Sequence, residues 1–131
     1  MSGYLIDTSV FIAAENRRPL GSAPAGKARI SVATLTELHV GVINAQGKVL
    51  RRLREATLAE ARSFIPLAYD EAVAGSLARL LSELRAARLR VSAEDAIIAA
   101  TAIAHGLTVW TQDADFEALA ELEPKLRVQL T

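Results

Sequence analysis

Residues 92–111, SAEDAIIAATAIAHGLTVWT, contain one full unit of an alternating fold. Ser92 is a good N-cap, because its hydroxyl can accept from the free N–H groups that open a helix. Ala93 to His105 then runs apolar and Ala-rich. Gly106 is the residue type that ends such a helix, since glycine takes the left-handed conformation without a Cβ clash. Leu107 to Thr111 follows at once, β-branched and short, as a buried strand should be. Helix, glycine and strand in this order predict a covering helix that feeds a sheet.

The same alternation extends outward from this unit. Gly3 to Ile6, Arg29 to Val32 and Ile65 to Ala68 are short apolar runs that read as strands, and Arg127 to Leu130 reads as a last one. Between them lie helical patterns. Thr8 or Ser9 caps Val10 to Glu15, Thr34 starts a helix carrying Leu35, Leu38 and Val42, and Gln46 to Phe64 carries Val49, Leu50, Leu53 and Leu58. Asp70 caps Glu71 to Arg88 over a stripe of Val73, Leu77, Leu80, Leu81 and Leu84, and Asp113 to Leu122 is a final helix. Arg17 to Lys27, RRPLGSAPAGK, is an internal loop. The expected fold is α/β: one domain over residues 1–131, with a central parallel sheet of about four to five short strands and helices on both faces. Ligands of such sheets bind beyond the carboxyl ends of the strands.

Composition narrows the chemistry. The 131 residues are 51% hydrophobic and 23% charged, a globular balance, and only 5% aromatic, so Ala, Leu, Ile and Val must build the core. There is no cysteine, which removes disulfides, thiolate metal sites and thiol nucleophiles. The N-terminus lacks the basic region of a signal peptide, and no run approaches the roughly 20 apolar residues of a membrane span. A cytoplasmic protein without a membrane partner is expected. Fifteen basic residues balance fifteen acidic ones. The arginines nevertheless cluster, at Arg51, Arg52 and Arg54 and at Arg85, Arg88 and Arg90, where they are either solvated helix faces or phosphate contacts.

Four acids fall at the predicted carboxyl rim. Asp7 follows the first strand, Glu37 and Asp95 lie early in helices, and Asp113 sits two residues past Thr111. Each alone has a capping explanation: Thr34 to Glu37 and Ser92 to Asp95 have capping-box spacing, and helix N-termini favour carboxylates. Capping does not require the four to converge. Crowded carboxylates raise one another's pKa, and a hard cation relieves them. Mg²⁺ suits oxygen ligands, and Mn²⁺ can take its place. His39 and His105 have no zinc-ligand spacing. A phospho-accepting domain would need a lysine near the acids, and Lys27, Lys48 and Lys125 are poorly placed. An Asp-x-Asp phosphatase fails because Thr8 and Ser9 follow Asp7.

These residues resemble the PIN-domain family, and within it the toxin ribonucleases of VapBC toxin–antitoxin modules. Leu5-Ile6-Asp7-Thr8-Ser9-Val10 is similar to the family's opening motif. Ser31 to Gly41, SVATLTELHVG, is similar to the second and places Glu37. Glu94 to Ala100 followed by His105-Gly106-Leu107 is similar to the third and places Asp95. Thr111 to Phe116, TQDADF, is similar to the fourth and places Asp113, with Asp115 as an extra ligand or water holder. The motifs occur in the family's order over nearly the whole chain.

The resemblance implies a Mg²⁺-dependent endoribonuclease, the toxin of a type II toxin–antitoxin system, that hydrolyses RNA phosphodiesters and so inhibits translation and growth. Asp7, Glu37, Asp95 and Asp113 would hold the metal directly or through water. Thr8, Ser9 and Thr111 would support them. Arg51, Arg52, Arg85 and Arg88 would meet the RNA backbone. Without an aromatic stacking platform, specificity would rest on RNA shape and a few base-edge contacts. A VapB-type antitoxin and a homodimer or larger assembly are implied as partners. The reading from another class is a non-catalytic metal- or RNA-binding regulatory module of the same fold.

Overall fold

The computed structural model describes residues 3–131. Five strands and six helices alternate: β1 (Gly3–Ile6), α1 (Thr8–Glu15), β2 (Lys27–Ser31), α2 (Val32–Ile43), α3 (Lys48–Ala61), β3 (Ile65–Leu67), α4 (Glu71–Ala87), α5 (Ala93–His105), β4 (Thr108–Thr111), α6 (Asp115–Leu122) and β5 (Arg127–Leu130). All strand pairs are parallel, in the order β3-β2-β1-β4-β5. The chain builds outward on one side of β1, then crosses to the other side with β4. The junction of β1 and β4 is therefore the topological switch point, where α/β sheets place their ligands.

Strand alternation sorts the core into two layers. Leu5 and Val109 face α4, α5 and α6, where they pack with Leu80, Ile98 and Phe116. Ile6 and Ile30 face the opposite way, onto Val10 and Phe11 of α1, Leu38 of α2 and Leu58 of α3. β1 and β2 approach so closely at Gly3 that a Cβ there would stand 2.7 Å from the Lys27 carbonyl oxygen.

Gly106 closes α5 with φ 64°, and the Leu107 N–H donates to the Ala102 carbonyl at 2.9 Å. That closure sends the chain directly into the amino end of β4. A 13-residue helix is about 20 Å long. Its first turn, with Asp95, therefore lies over the carboxyl edge of the sheet.

Four expected helix starts move, and α3 opens at Lys48 behind Gly47 and closes at Ala61, against the expected Gln46 to Phe64. Asp7, not Thr8 or Ser9, is the N-cap of α1. Ser31 caps α2 by accepting from the Ala33 N–H at 3.0 Å, so β2 ends one residue early and the helix opens before Thr34. α6 begins at Asp115, because the Asp113 side chain first accepts from the Asp115 N–H at 2.9 Å. The stripes on α3 and α4 are also only partly core: Val49 is 86% exposed, and Leu53 and Leu81 are exposed as well.

Candidate functional site

Asp7 is buried at the end of β1, with one carboxylate oxygen fully engaged. Its Oδ2 accepts from the Ser9 hydroxyl at 2.6 Å, the Thr111 hydroxyl at 2.7 Å and, more weakly, the Ser9 N–H at 3.4 Å. Each hydroxyl gives its hydrogen to the carboxylate and keeps its lone pairs for the backbone. Ser9 Oγ accepts from the Gln112 N–H, and Thr111 Oγ1 accepts from the Asp113 N–H, both at 2.9 Å. The Asp7 N–H donates to the Trp110 carbonyl at 2.9 Å. Asp7 thus fixes the path of the chain beyond β4, and with it Asp113. Bonds to an ionised acceptor are the stronger kind, suited to this task. Asp7 Oδ1 accepts no hydrogen bond from the described residues.

Glu37 loses its capping explanation. With α2 opened by Ser31, Glu37 lies more than a turn inside the helix, and Thr34 is buried in the core. The Glu37 carboxylate accepts from the Thr8 hydroxyl at 2.7 Å, and Thr8 Oγ1 stands 3.1 Å from Thr34 Oγ1. Burial pushes the Glu37 pKa up and the Thr8 bond holds it down; the charges of Asp7 and Glu94 add to the rise.

Asp95 reports how the four acids meet. Ser92 caps α5 by accepting the Asp95 N–H at 3.1 Å. The Asp95 carboxyl is pushed up to about 6, first by burial, then by the charges of Asp7, Asp113 and Glu37, with the Ser92 hydroxyl opposing. Three segments far apart in the chain therefore act on a fourth, and no lysine or arginine contributes. Among the described residues, no three Asp, Glu or His side chains stand close enough to clasp an ion between them. The acids share one electrostatic field at the switch point without forming a tight chelate.

The remaining candidates separate. Asp115 is exposed and lines a hollow with Leu89 and Arg90, and its charge is not among those acting on Asp95. Arg51 pairs with Glu55 at 3.5 Å, the only ion pair within 4.0 Å among the described residues. Arg52, Arg85 and Arg88 are exposed and bond to none of the four acids. Arg88 takes the left-handed closing position of α4, φ 57°. Arg54 turns inward instead, donating to the Gly41 carbonyl at 2.7 Å. Two residues escaped the sequence reading. Glu94 acts on Glu37 only because α5 lies over α2, and Gln112 ties the rim to the Arg17–Lys27 loop by donating to the Pro19 carbonyl at 3.3 Å. No helix among the described residues is long and apolar enough to cross a membrane.

Comparison with known proteins converges on one family. Residues 4–122 match the PIN domain. The chain is 47% identical over 120 residues to ribonuclease VapC4 of Mycobacterium tuberculosis, covering 91% of this chain and 92% of that one. It is 41% identical over 116 residues to ribonuclease VapC5 of the same organism, covering 88% and 86%. The crystal structure of VapBC-5 from M. tuberculosis, a member of the VapBC family of toxin–antitoxin systems, superposes with a TM-score of 0.84 at 35% identity, over 99% of this chain and 98% of that one. The order of motifs, the sheet with its switch point and these relatives agree: the chain belongs to the PIN-domain family, among the VapC ribonucleases.

Proposed function

We propose that this protein is a Mg²⁺-dependent endoribonuclease and the toxin of a type II toxin–antitoxin pair, acting on cytoplasmic RNA. The observation that carries the proposal is the convergence of four acids on the switch point, where burial first, and then the charges of Asp7, Asp113 and Glu37, raise the Asp95 carboxyl. The donor set fits a hard cation: it is all oxygen, it lacks cysteine and it contains no neutralising side-chain cation. Mg²⁺ keeps several of its own waters, so carboxylates that do not touch can share one ion through them. Mn²⁺ suits the same donors.

Asp7, Glu37, Asp95 and Asp113 would hold the ion. When bound, it would acidify an attacking water and offset charge on the phosphoryl oxygens. The chain's own part is orientation. Ser9 and Thr111 lock Asp7 through one oxygen, which leaves the other for the ion. Thr8 aims Glu37. The Thr111 hydroxyl, by accepting the Asp113 N–H, sets where that carboxylate begins. Such outer hydrogen bonds typically change metal affinity or activity by about 10–100-fold. Exposed arginines without carboxylate partners are available for the RNA backbone. Relatives are components of VapBC systems, and a VapB-type antitoxin that blocks the rim is the partner this function calls for.

Cleavage of RNA in Mg²⁺, compared with EDTA and with Asp7→Asn, tests the proposal. Metal-dependent cutting that is lost in the variant is expected. Equal inertness of both proteins toward RNA would leave a binding module of the same fold.

A further inference from the structure

A groove of about 290 Å³ opens directly beside the acid rim, between α1, α2 and the start of α3. Glu37 belongs to both, so whatever fills the groove abuts the bond being cut. Ile12, Leu38 and Leu50 give it an apolar lining, and Glu15, Asn16, Asn44 and Arg54 add polar groups to it. Asn16 and Asn44 end α1 and α2; their N–H groups close the helices, while their side-chain amides bond to no described residue. Arg54 gives one N–H to the Gly41 carbonyl and keeps the rest of its fork. Glu15 is oriented: Thr57, itself buried, donates to its Oε1 at 2.8 Å. Oε2 accepts from no described residue.

We infer that this groove receives an unpaired guanine of the RNA next to the scissile phosphate, read by Glu15 with Asn16 and Asn44. The inference rests on the ribonuclease reading above and deepens it. The size suits a single base, since about 290 Å³ lies just under the roughly 300–1,000 Å³ of pockets for drug-sized ligands. The chemistry selects the base. A carboxylate only accepts, and guanine alone sets a ring N–H beside an exocyclic amine on its pairing edge, two donors for one carboxylate. Adenine and cytosine each offer an acceptor at the ring position, and uracil flanks its N–H with carbonyls. The asparagine amides can complete the guanine O6 and N7, and Arg54, which also lines the groove, offers its remaining N–H groups.

Two readouts on the full chain test this. Titration with guanosine, adenosine, cytidine and uridine 5′-monophosphates, followed by NMR shifts of groove residues, needs no catalysis. Guanosine monophosphate is expected to bind more tightly than the others, by roughly 5- to 150-fold for a bidentate contact. Glu15→Gln should abolish that preference, with Asn44→Ala as a second variant from the opposite wall. Mapping of RNA ends should show a fixed guanine beside the cut in the wild type and a relaxed choice in Glu15→Gln. Equal affinity for the four nucleotides, or an unchanged base preference in both variants, overturns the inference. Selective nucleotide binding by a protein that cuts no RNA would retain the pocket and reject the nuclease. Variants that weaken antitoxin capture alone, with base preference intact, would make the groove a protein-docking cleft and reject the base pocket.

Discussion

Acids crowd together in two parts of this molecule, and the two parts resolve the crowding differently. At the junction of α4 with the end of α6, the side chains of Glu83 and Glu123 lie against each other. The bond to Glu123 pushes the Glu83 pKa up most, and the same bond pulls Glu123 down. The Lys125 N–H also donates to Glu123 at 3.1 Å, and Arg79 and Lys125 lie alongside. Two cations, Arg79 and Lys125, act on that pair from close by. At the switch point, four acids from four segments of the chain share one field with no cation acting on Asp95, which burial and those charges hold up at about 6. Crowded carboxylates are therefore not a metal site by themselves. What sets the rim apart is that no lysine or arginine acts on Asp95 and that some of its carboxylate oxygens, Asp7 Oδ1 among them, accept no hydrogen bond from the described residues.

Substitutions should expose this difference, in descending order of effect. Asp7→Asn at the rim is expected to reduce cleavage by more than the roughly 10–100-fold typical of an outer hydrogen-bonding partner, measured as initial rate on a structured RNA; circular dichroism checks that the fold persists. Thr111→Val keeps the shape but takes one of the donors from Asp7 Oδ2 and strands the Asp113 N–H. Metal affinity should fall about 10–100-fold, and thermal unfolding should register a cost of about 1–3 kcal/mol.

Proton linkage gives a smaller signal. Asp95 binds its proton more tightly folded than unfolded, so between pH 3.8 and about 6 the native state holds more protons. Stability of the metal-free protein should decline as pH rises through that window, modestly because the group is half-buried, and Asp95→Asn should flatten the slope. Cleavage should climb over the same range as Asp95 ionises. Glu83→Gln should have the least effect. An amide removes the charge that the neighbouring Glu123 disfavours, so cleavage should not change, and the melting temperature should rise slightly at neutral pH and not in acid.

Much of the fold was legible because its punctuation is local. Ser92, Gly106 and Asp70 mark helix ends through their own side chains or backbone freedom, and those boundaries stand in the structure. The misplaced starts of α1 and α2 share one cause. Thr8, Ser9 and Thr34 are good capping residues by type, but all three hydroxyls lie inside the rim network or the core, and Asp7 and Ser31 do the capping. The four acids could be found from strand ends and motif order. Glu94, Gln112 and Glu15 could not, because each matters only through an element distant in sequence: α2, the Pro19 loop and Thr57 of α3.

Binding of Mn²⁺ to the full chain, followed by electron paramagnetic resonance, tests the central claim most directly. The wild type should take up the ion with a 10-fold or greater advantage, as an order-of-magnitude expectation, over Asp7→Asn and Asp95→Asn, while Glu83→Gln binds like the wild type. Uptake that survives both rim substitutions, or that is lost with Glu83, would contradict it.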